Sequence, residues 1–268
     1  MRSTLVLFVV LGLAAGAARA QDPVKERLEK SPRHHEWVKV KNGSRDVQCF
    51  LVFPEVKDRA PAVLVIHENK GLQMFEKGVA DQLAEAGYLA IVPDLLSGMG
   101  PGGGDTTSFK SVTDATKAIY SLKDRPGQIV GDLNAAADHV LKLAACNGKL
   151  AVCGFCFGGG QCWNYANSRK DLRAAYVFYG TGPESKEGAE NIPCPVYGFY
   201  GGMDARVNAT VPKSVEVMKQ LGKPFEPVTY EGAGHGFLRA GELPDASEAN
   251  RRARAQAWER WKGLLKQL

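Results

Sequence analysis

The sequence has no basic tract and only a small excess of positive charge. Its 34 Lys and Arg residues and 29 Asp and Glu residues leave a formal charge of +5 over 268 residues. The cationic side chains are scattered, whereas a nucleic-acid surface needs a basic stripe with stacking aromatics. We therefore do not expect nucleic acid to be a partner of this protein.

Apolar runs long enough to span a bilayer are also missing. The run at residues 5–15 is shorter than the ~20 residues that a membrane helix requires. It follows a short basic start containing Arg2 and precedes Ala18-Arg19-Ala20, a small-x-small cleavage site. This pattern predicts a secretory signal peptide over residues 1–20, cut after Ala20, and export to the periplasm or the medium.

The mature chain is then expected to have no membrane association. Removal of residues 1–20 takes away Arg2 and Arg19, so the formal charge falls from +5 to +3. Residues 21–35 are charged and aperiodic, which predicts an extended or loosely helical lead-in. Residues 36–268 have a length and composition typical of one α/β domain, and we expect a monomer.

The cysteines need an interpretation, because export would place them in an oxidising compartment. The six cysteines are Cys49, Cys146, Cys153, Cys156, Cys162 and Cys194. An oxidising compartment permits disulfides. Cys146 and Cys194 lie near loop boundaries and form the favoured pair, although the sequence does not establish any pairing. Apolar neighbours indicate that Cys49, Cys153 and Cys162 are small core residues.

The most informative stretch is the hexapeptide GFCFGG at residues 154–159, which lies between a strand-like run and a helix-like stretch. A nucleophile elbow has this order of strand, sharp turn and helix. The backbone of its central residue is strained, and glycines two positions away on either side remove Cβ atoms that would clash. Cys156 would occupy the apex, where the helix N-terminus favours thiolate. The alternative is a buried structural cysteine beside a glycine-rich turn.

Two later strand-like runs end close to an acid and a histidine. Residues 196–200 precede Asp204, and residues 227–230 precede His235. Hydrolases of the α/β class place nucleophile, acid and histidine in this chain order, with the last two on loops after strands. Asp204 and His235 are therefore the candidate partners of the elbow cysteine.

With these motifs, the chain resembles the dienelactone hydrolase family over about residues 36–268. The resemblance implies a triad of Cys156, Asp204 and His235. It also implies hydrolysis of small esters or lactones through a thioester, which requires no cofactor or metal.

The segment HENKG at residues 67–71 lies where hydrolases of this fold place the second oxyanion amide. The resemblance implies that Glu68 contacts the resting cysteine. Because a nearby carboxylate opposes ionisation of a thiol, we predict that Glu68 acts as a thiol switch that substrate displaces. The resemblance also implies that the backbone N–H groups of Asn69 and Phe157 hold the oxyanion. The residues alone leave a second interpretation of Glu68, a carboxylate at a helix start. His67 is expected to be a hydrogen-bonded loop residue.

Arg239 lies four residues after His235. In the resembling family this position helps to bind a substrate carboxylate, so Arg239 is a candidate substrate-binding residue. Residues 95–122 contain no second arginine for this purpose. We expect a preference for small, anionic esters or lactones.

The glycine-rich loop at residues 98–104 contains G-x-G-x-x-G, the dinucleotide fingerprint. A dinucleotide-binding loop follows its strand directly and opens a helix, whereas this loop lies several residues past its strand and contains Pro101. Its composition favours a flexible rim of the active site.

Alternating patterns define the fold class. Strand-like runs lie at residues 37–40, 46–53, 62–66, 89–92, 150–153, 174–178, 196–200 and 227–230. Helical periodicity covers residues 74–86, 111–122, 127–143 and 249–268. This order predicts an α/β-hydrolase fold with a mostly parallel sheet, an antiparallel N-terminal edge, and helices on both faces.

Two other functions remain open on the residues alone. Cys153 and Cys156 form a C-x-x-C motif between strand and helix, as in thioredoxin-like thiol oxidoreductases. The chain is alternatively a catalytically silent binding protein on a hydrolase fold.

Overall fold

The computed structural model describes residues 23–268, and the predicted signal peptide at residues 1–20 lies outside them. The strands are β1 (His35–Asn42), β2 (Arg45–Val52), β3 (Ala60–Ile66), β4 (Leu89–Pro93), β5 (Cys146–Phe155), β6 (Leu172–Phe178), β7 (Val196–Gly201) and β8 (Phe225–Tyr230). The α-helices are α1 (Pro23–Lys30), α2 (Met74–Glu85), α3 (Val112–Ser121), α4 (Pro126–Lys142), α5 (Phe157–Ser168), α6 (Ala205–Asn208), α7 (Val211–Gln220), α8 (Phe237–Ala240) and α9 (Glu248–Leu265). Short 3-10 turns occur at Pro101–Gly103, Thr106–Ser108, Leu122–Asp124 and Lys186–Gly188. Among the helices of residues 23–268, none is both long and apolar enough to cross a bilayer.

All eight strands form one sheet, in the order β1-β2-β4-β3-β5-β6-β7-β8. The β1–β2 and β2–β4 pairs are antiparallel, and the remaining pairs are parallel. Asn42 and Gly43 turn the first hairpin, with Gly43 at φ 59°. The structure confirms the predicted parallel sheet with an antiparallel N-terminal edge.

Helices cover both faces of the sheet. In β3, Leu64 belongs to the core on the side of α4 and α5, whereas Val65 belongs to the core on the side of α2 and α9. Trp261 of α9 is fully buried against Phe178, with ring centroids 4.8 Å apart. Strands covered on both faces need apolar side chains in both directions, which explains the continuous apolar runs in the sequence.

The lead-in before β1 is ordered from residue 23 onward and includes α1. Arg33 Nη2 and His35 Nε2 bond to the buried carboxylate of Asp81 in α2 at 2.7 and 2.9 Å. Burial alone would raise the pKa of Asp81, but hydrogen bonds from Arg33, Ser31 and His35 lower it to about 2. The lead-in is therefore attached to the domain by an ionised, multiply bonded carboxylate.

The favoured Cys146–Cys194 disulfide is wrong, because all six cysteines are free. Cys146 begins β5 and Cys194 precedes β7, and β6 lies between these strands in the sheet. Cys49, Cys153 and Cys162 are fully buried, as predicted for core residues.

Candidate active site

Cys156 lies between β5 and α5 with φ 54° and ψ −112°, a conformation that side chains rarely adopt. Its backbone N–H donates to Phe178 O at 3.0 Å. A Cβ atom on Gly154 would approach Gly158 O to 1.9 Å, and one on Gly158 would approach Ile66 O to 2.3 Å. The two glycines thus let α5 pack against the ends of β5 and β3, which holds the strained turn.

The structure brings together the three residues predicted for a triad. His235 Nε2 lies 3.1 Å from Cys156 Sγ, and His235 Nδ1 donates to Asp204 Oδ2 at 2.5 Å. Asp204 follows β7 and His235 follows β8. Cys156 follows β5, so all three lie at the carboxyl ends of parallel strands, which meet at one edge of the sheet.

The contacts of His235 stabilise its cation. The hydrogen bond to Cys156 raises the pKa of His235 most, burial opposes the rise, and the bond to Asp204 adds to it, giving about 9. Asp204 is itself buried, and it also accepts the backbone N–H of Val207 at 3.4 Å. An imidazolium at neutral pH is a suitable partner for a cysteine thiolate.

Glu68 is buried, and its carboxylate contacts a cation. Glu68 Oε2 accepts from Arg239 Nε at 2.9 Å, and Oε1 accepts from the Tyr179 hydroxyl at 3.4 Å. Within residues 23–268, no hydrogen bond joins Glu68 to Cys156, and the partners of the carboxylate are Arg239 and Tyr179. Glu68 lies in the loop after β3 and does not begin a helix, so its interpretation as a helix-start carboxylate is wrong. In α2 the helix-start carboxylate is Glu76.

A second buried carboxylate, Glu76, supports the loop that carries Glu68. Its oxygens accept the backbone N–H groups of Glu68 and Gln73, each at 3.0 Å. Burial, with a smaller contribution from the Glu68 charge, raises the pKa of Glu76 to about 7. His67 Nδ1 donates to Glu68 O at 2.7 Å, and His67 Nε2 accepts from Leu95 N at 3.2 Å. His67 is thus a neutral, hydrogen-bonded loop residue, as predicted.

The two predicted oxyanion residues lie on segments that touch. Phe157 is the first residue of α5, where backbone N–H groups have no acceptor within the helix. The start of α5 packs so closely on the loop after β3 that a Cβ atom on Gly158 would lie 2.6 Å from His67 O. The Asn69 side chain donates to the Tyr120 hydroxyl at 3.1 Å, which ties this loop to α3.

Beside Cys156 lies a cavity of about 330 Å³. Its walls include four aromatic side chains, from Tyr120, Phe157, Trp163 and Tyr179. The polar side chains come from Gln161, Asn164 and Thr181, and a positive charge comes from Arg206. Except for Phe157, sequence reasoning missed these residues, since they belong to helices and loops that only the fold brings together. The sequence offered one indication of a site residue here, which is that Arg206 lies two residues after the predicted triad residue Asp204.

The loop at residues 98–104 is not a wall of this cavity, which corrects the prediction of a rim. Its backbone closes on itself, with Gly100 N donating to Gly104 O at 2.9 Å. Met99 packs against the core on the α4 side. The neighbouring helix α3 takes the rim position through Tyr120.

Residues 47–268 match the model of the dienelactone hydrolase family. A relative in Escherichia coli O157:H7, named "Putative carboxymethylenebutenolidase", is 32% identical over 244 residues, covering 83% of this chain and 86% of its own. A relative of the same name in Salmonella typhimurium is 31% identical over 233 residues, covering 80% of each chain.

Solved structures show the same fold. A dienelactone hydrolase-like promiscuous phosphotriesterase from metagenomic libraries superposes with a TM-score of 0.75 at 23% identity, covering 88% of this chain and 98% of its own. Dienelactone hydrolase from Anabaena variabilis gives 0.61 at 18% identity, with coverage of 84% and 95%. The family match over most of the chain and the relatives above 30% identity establish that this protein belongs to the dienelactone hydrolase family.

Proposed function

We propose that this protein hydrolyses small carboxylic esters or lactones, with Cys156 as the nucleophile. The observation that carries the proposal is the line of contacts from Cys156 Sγ to His235 Nε2 at 3.1 Å and from His235 Nδ1 to Asp204 at 2.5 Å. A nucleophile, a base and an orienting carboxylate in this relation are the parts that acyl transfer requires. Membership of a hydrolase family supports the same reaction class.

In the first half-reaction, the thiolate of Cys156 attacks the carbonyl carbon, and the π electrons move to the carbonyl oxygen. Backbone N–H groups of Phe157 and Asn69 stabilise that oxyanion, each donor contributing roughly 10²- to 10³-fold in rate in other hydrolases. The tetrahedral intermediate then collapses, the carbon–oxygen bond breaks, and the leaving alkoxide takes a proton from cationic His235. The products are an alcohol, or the opened end of a lactone, and a thioester on Cys156.

In the second half-reaction, His235 is neutral and acts as a base. It removes a proton from water, and the hydroxide attacks the thioester carbonyl. Collapse of this intermediate breaks the carbon–sulfur bond, releases the carboxylic acid and restores the thiolate beside imidazolium. Asp204 holds the imidazole with Nε2 towards the sulfur throughout.

The thioredoxin-like alternative has little support in the geometry. It requires Cys153 to react with the sulfur of Cys156, but Cys153 is fully buried in the core on the α9 side of β5. Burial raises the pKa of the Cys153 thiol well above its ordinary value, which disfavours the thiolate that exchange requires.

Turnover of phenyl and p-nitrophenyl acetates and of small lactones by the purified mature protein tests the proposal. Cys156→Ala should abolish turnover, while Cys49→Ala, which removes a buried thiol from β2, should retain it. Mass spectrometry of quenched reactions should show an acyl group on Cys156. Full activity in Cys156→Ala would overturn the proposal, and no turnover in wild type would favour a silent binding protein.

A further inference from the structure

His67 joins the loop after β3 to the loop after β4 through two bonds to the backbone. Its side chain is fully buried, with Nδ1 2.7 Å from Glu68 O and Nε2 3.2 Å from Leu95 N. A carbonyl oxygen only accepts and a backbone N–H only donates. One form of the ring satisfies both partners, the neutral tautomer with its proton on Nδ1. Burial lowers the pKa of His67 and so favours this neutral form.

The carbonyl that His67 holds belongs to the same peptide as the Asn69 N–H, one of the two proposed oxyanion donors. No peptide bond within residues 23–268 is cis. In a trans peptide the C=O and N–H groups lie in one plane and point in opposite directions. A contact that fixes the carbonyl of Glu68 therefore fixes the direction of the Asn69 N–H.

The sheet order indicates what that direction is. β3 lies between β4 and β5, and Leu95 follows β4 whereas Cys156 follows β5. The ring of His67 thus holds the Glu68 carbonyl from the β4 side, which directs the Asn69 N–H towards the side of the nucleophile. Across residues 23–268, this N–H donates to no acceptor. It is therefore available to an oxyanion.

The preceding peptide is fixed independently. Glu76 Oε1 accepts the N–H of Glu68 at 3.0 Å. The His67 carbonyl packs against the start of α5, where a Cβ atom on Gly158 would lie 2.6 Å away. With this peptide held, the peptide between Glu68 and Asn69 could still rotate about its two flanking bonds. The bond from His67 to its carbonyl opposes that rotation.

We propose that His67 is a positioning residue for the oxyanion hole, holding the Glu68 carbonyl so that the Asn69 N–H meets the oxyanion formed on the substrate. This role rests on the proposed acyl transfer. A hydrogen bond to the carbonyl of a peptide also polarises its N–H, so the same contact makes Asn69 a stronger donor. Preorganised donors act in the transition state more than in substrate binding. The effect of His67 is therefore expected in kcat rather than in KM.

Two variants separate this role from simple packing. Asparagine carries its amide nitrogen where histidine carries Nδ1, so His67→Asn can still donate to Glu68 O. Glutamine carries its amide oxygen close to the position of Nε2, so His67→Gln can still accept from Leu95 N. Each variant loses one buried bond, and we expect both to lower the unfolding temperature. For phenyl acetate, kcat should fall about 10- to 100-fold in His67→Gln and less than about fivefold in His67→Asn.

A reaction of Cys156 that forms no oxyanion supplies the control. Iodoacetamide loses iodide from a saturated carbon, so its alkylation rate should stay within about twofold of wild type in both variants. Phenyl trifluoromethyl ketone supplies the converse case. The thiolate adds to its carbonyl carbon, the carbonyl electrons move to oxygen, and no group leaves. Its dissociation constant, measured as protection of Cys156 from iodoacetamide, should rise in His67→Gln by the factor by which kcat/KM falls.

A third measurement needs no variant. In wild type carrying isotope-labelled histidine, nuclear magnetic resonance should show His67 as the neutral Nδ1–H tautomer. An oxyanion bound to the Asn69 N–H strengthens the Glu68 carbonyl as an acceptor, so the ketone adduct should move the Nδ1–H proton resonance of His67 downfield. His139, in the last turn of α4 before the start of β5, should not shift.

The outcomes separate the two proposals. A kcat in His67→Gln within about twofold of wild type, or equal losses in His67→Asn and His67→Gln, would overturn the positioning role and leave ester hydrolysis standing. If neither variant folds, the wild-type resonance decides, because a His67 proton that the ketone does not shift would also overturn it. If wild type hydrolyses no ester, the proposed function fails, and the ketone dissociation constants alone decide the role of His67.

Discussion

Arg239 Nε lies 2.9 Å from Glu68 Oε2, and the same carboxylate accepts the hydroxyl of Tyr179, whose ring packs against His235 with centroids 5.2 Å apart. A bare carboxylate near Cys156 would oppose ionisation of the thiol, because like charges at short range disfavour each other. With the guanidinium bound, the negative charge of Glu68 is largely offset. His235, with Nε2 3.1 Å from the sulfur, is then the charged side chain that contacts Cys156.

The first prediction follows from this pair. In Arg239→Gln, Glu68 loses its counter-charge, so alkylation of Cys156 by iodoacetamide at pH 7 should slow several-fold. Glu68→Gln should alkylate faster than wild type but hydrolyse esters more slowly. The double variant should return towards the wild-type alkylation rate, which a double-mutant cycle measures. Unchanged alkylation rates in both single variants would mean that the ion pair does not control the thiol.

The second prediction concerns Asp204. An asparagine can still accept the N–H of Val207, so Asp204→Asn should fold normally, but it favours the wrong imidazole tautomer. We expect kcat to fall by about 10⁴, as in other triads that lose the acid in this way. Steady-state kinetics measure kcat, and circular dichroism checks that the variant is folded. A loss below tenfold would show that Asp204 does not orient His235.

The third prediction concerns pH. Because the pKa of His235 is raised to about 9, the cation is present below that pH and is lost as pH rises through it. The cation protonates a leaving alkoxide, so kcat/KM for alkyl esters should fall above pH about 9. p-Nitrophenolate leaves without taking a proton, so kcat/KM for p-nitrophenyl esters should not fall above pH about 9. Identical pH profiles for the two ester types would contradict the role of His235 as acid.

The fourth prediction concerns Glu76. Its pKa in the folded state is raised to about 7, above the ordinary 4.5. The neutral form therefore stabilises the fold fully below pH 4.5, and this stabilisation is lost as pH rises through about 7. Thermal unfolding temperatures of wild type should fall across this window relative to Glu76→Gln. Parallel curves for the two proteins would show that Glu76 does not titrate there.

The fifth prediction concerns export. Full-length protein produced in a Gram-negative host should accumulate in the periplasm with Gln21 as its first residue. N-terminal sequencing and intact mass measure this directly. Recovery from the cytoplasm with residues 1–20 attached would show that the segment is not a signal peptide in that host.

Local patterns predicted much of this molecule. The strained turn at Cys156 requires glycines at fixed positions, and parallel strands require continuous apolar runs. Both features can therefore be recognised from a few neighbouring residues. Asp204 and His235 were found because each follows such a run. These features depend on neighbours along the chain, which a sequence displays.

Contacts between segments far apart in the sequence could not be predicted from such local patterns. Arg239 and Glu68 are separated by 171 residues, and no spacing rule joins them. Glu76 reads as an ordinary acidic residue in a first helical turn, and its raised pKa comes from burial that only the packed structure creates. Arg206 faces a cavity whose walls come from four separate parts of the chain.

The attachment of the lead-in to Asp81 bears on the order in which the chain folds. His35 and Asp81 are 46 residues apart, and Ser31 and Arg33 are farther from it still. In a chain synthesised from its N-terminus, these donors emerge well before the carboxylate that fixes them. Until α2 is available, Arg33 and His35 have no buried carboxylate to bind, so the lead-in docks only after a later part of the domain has formed.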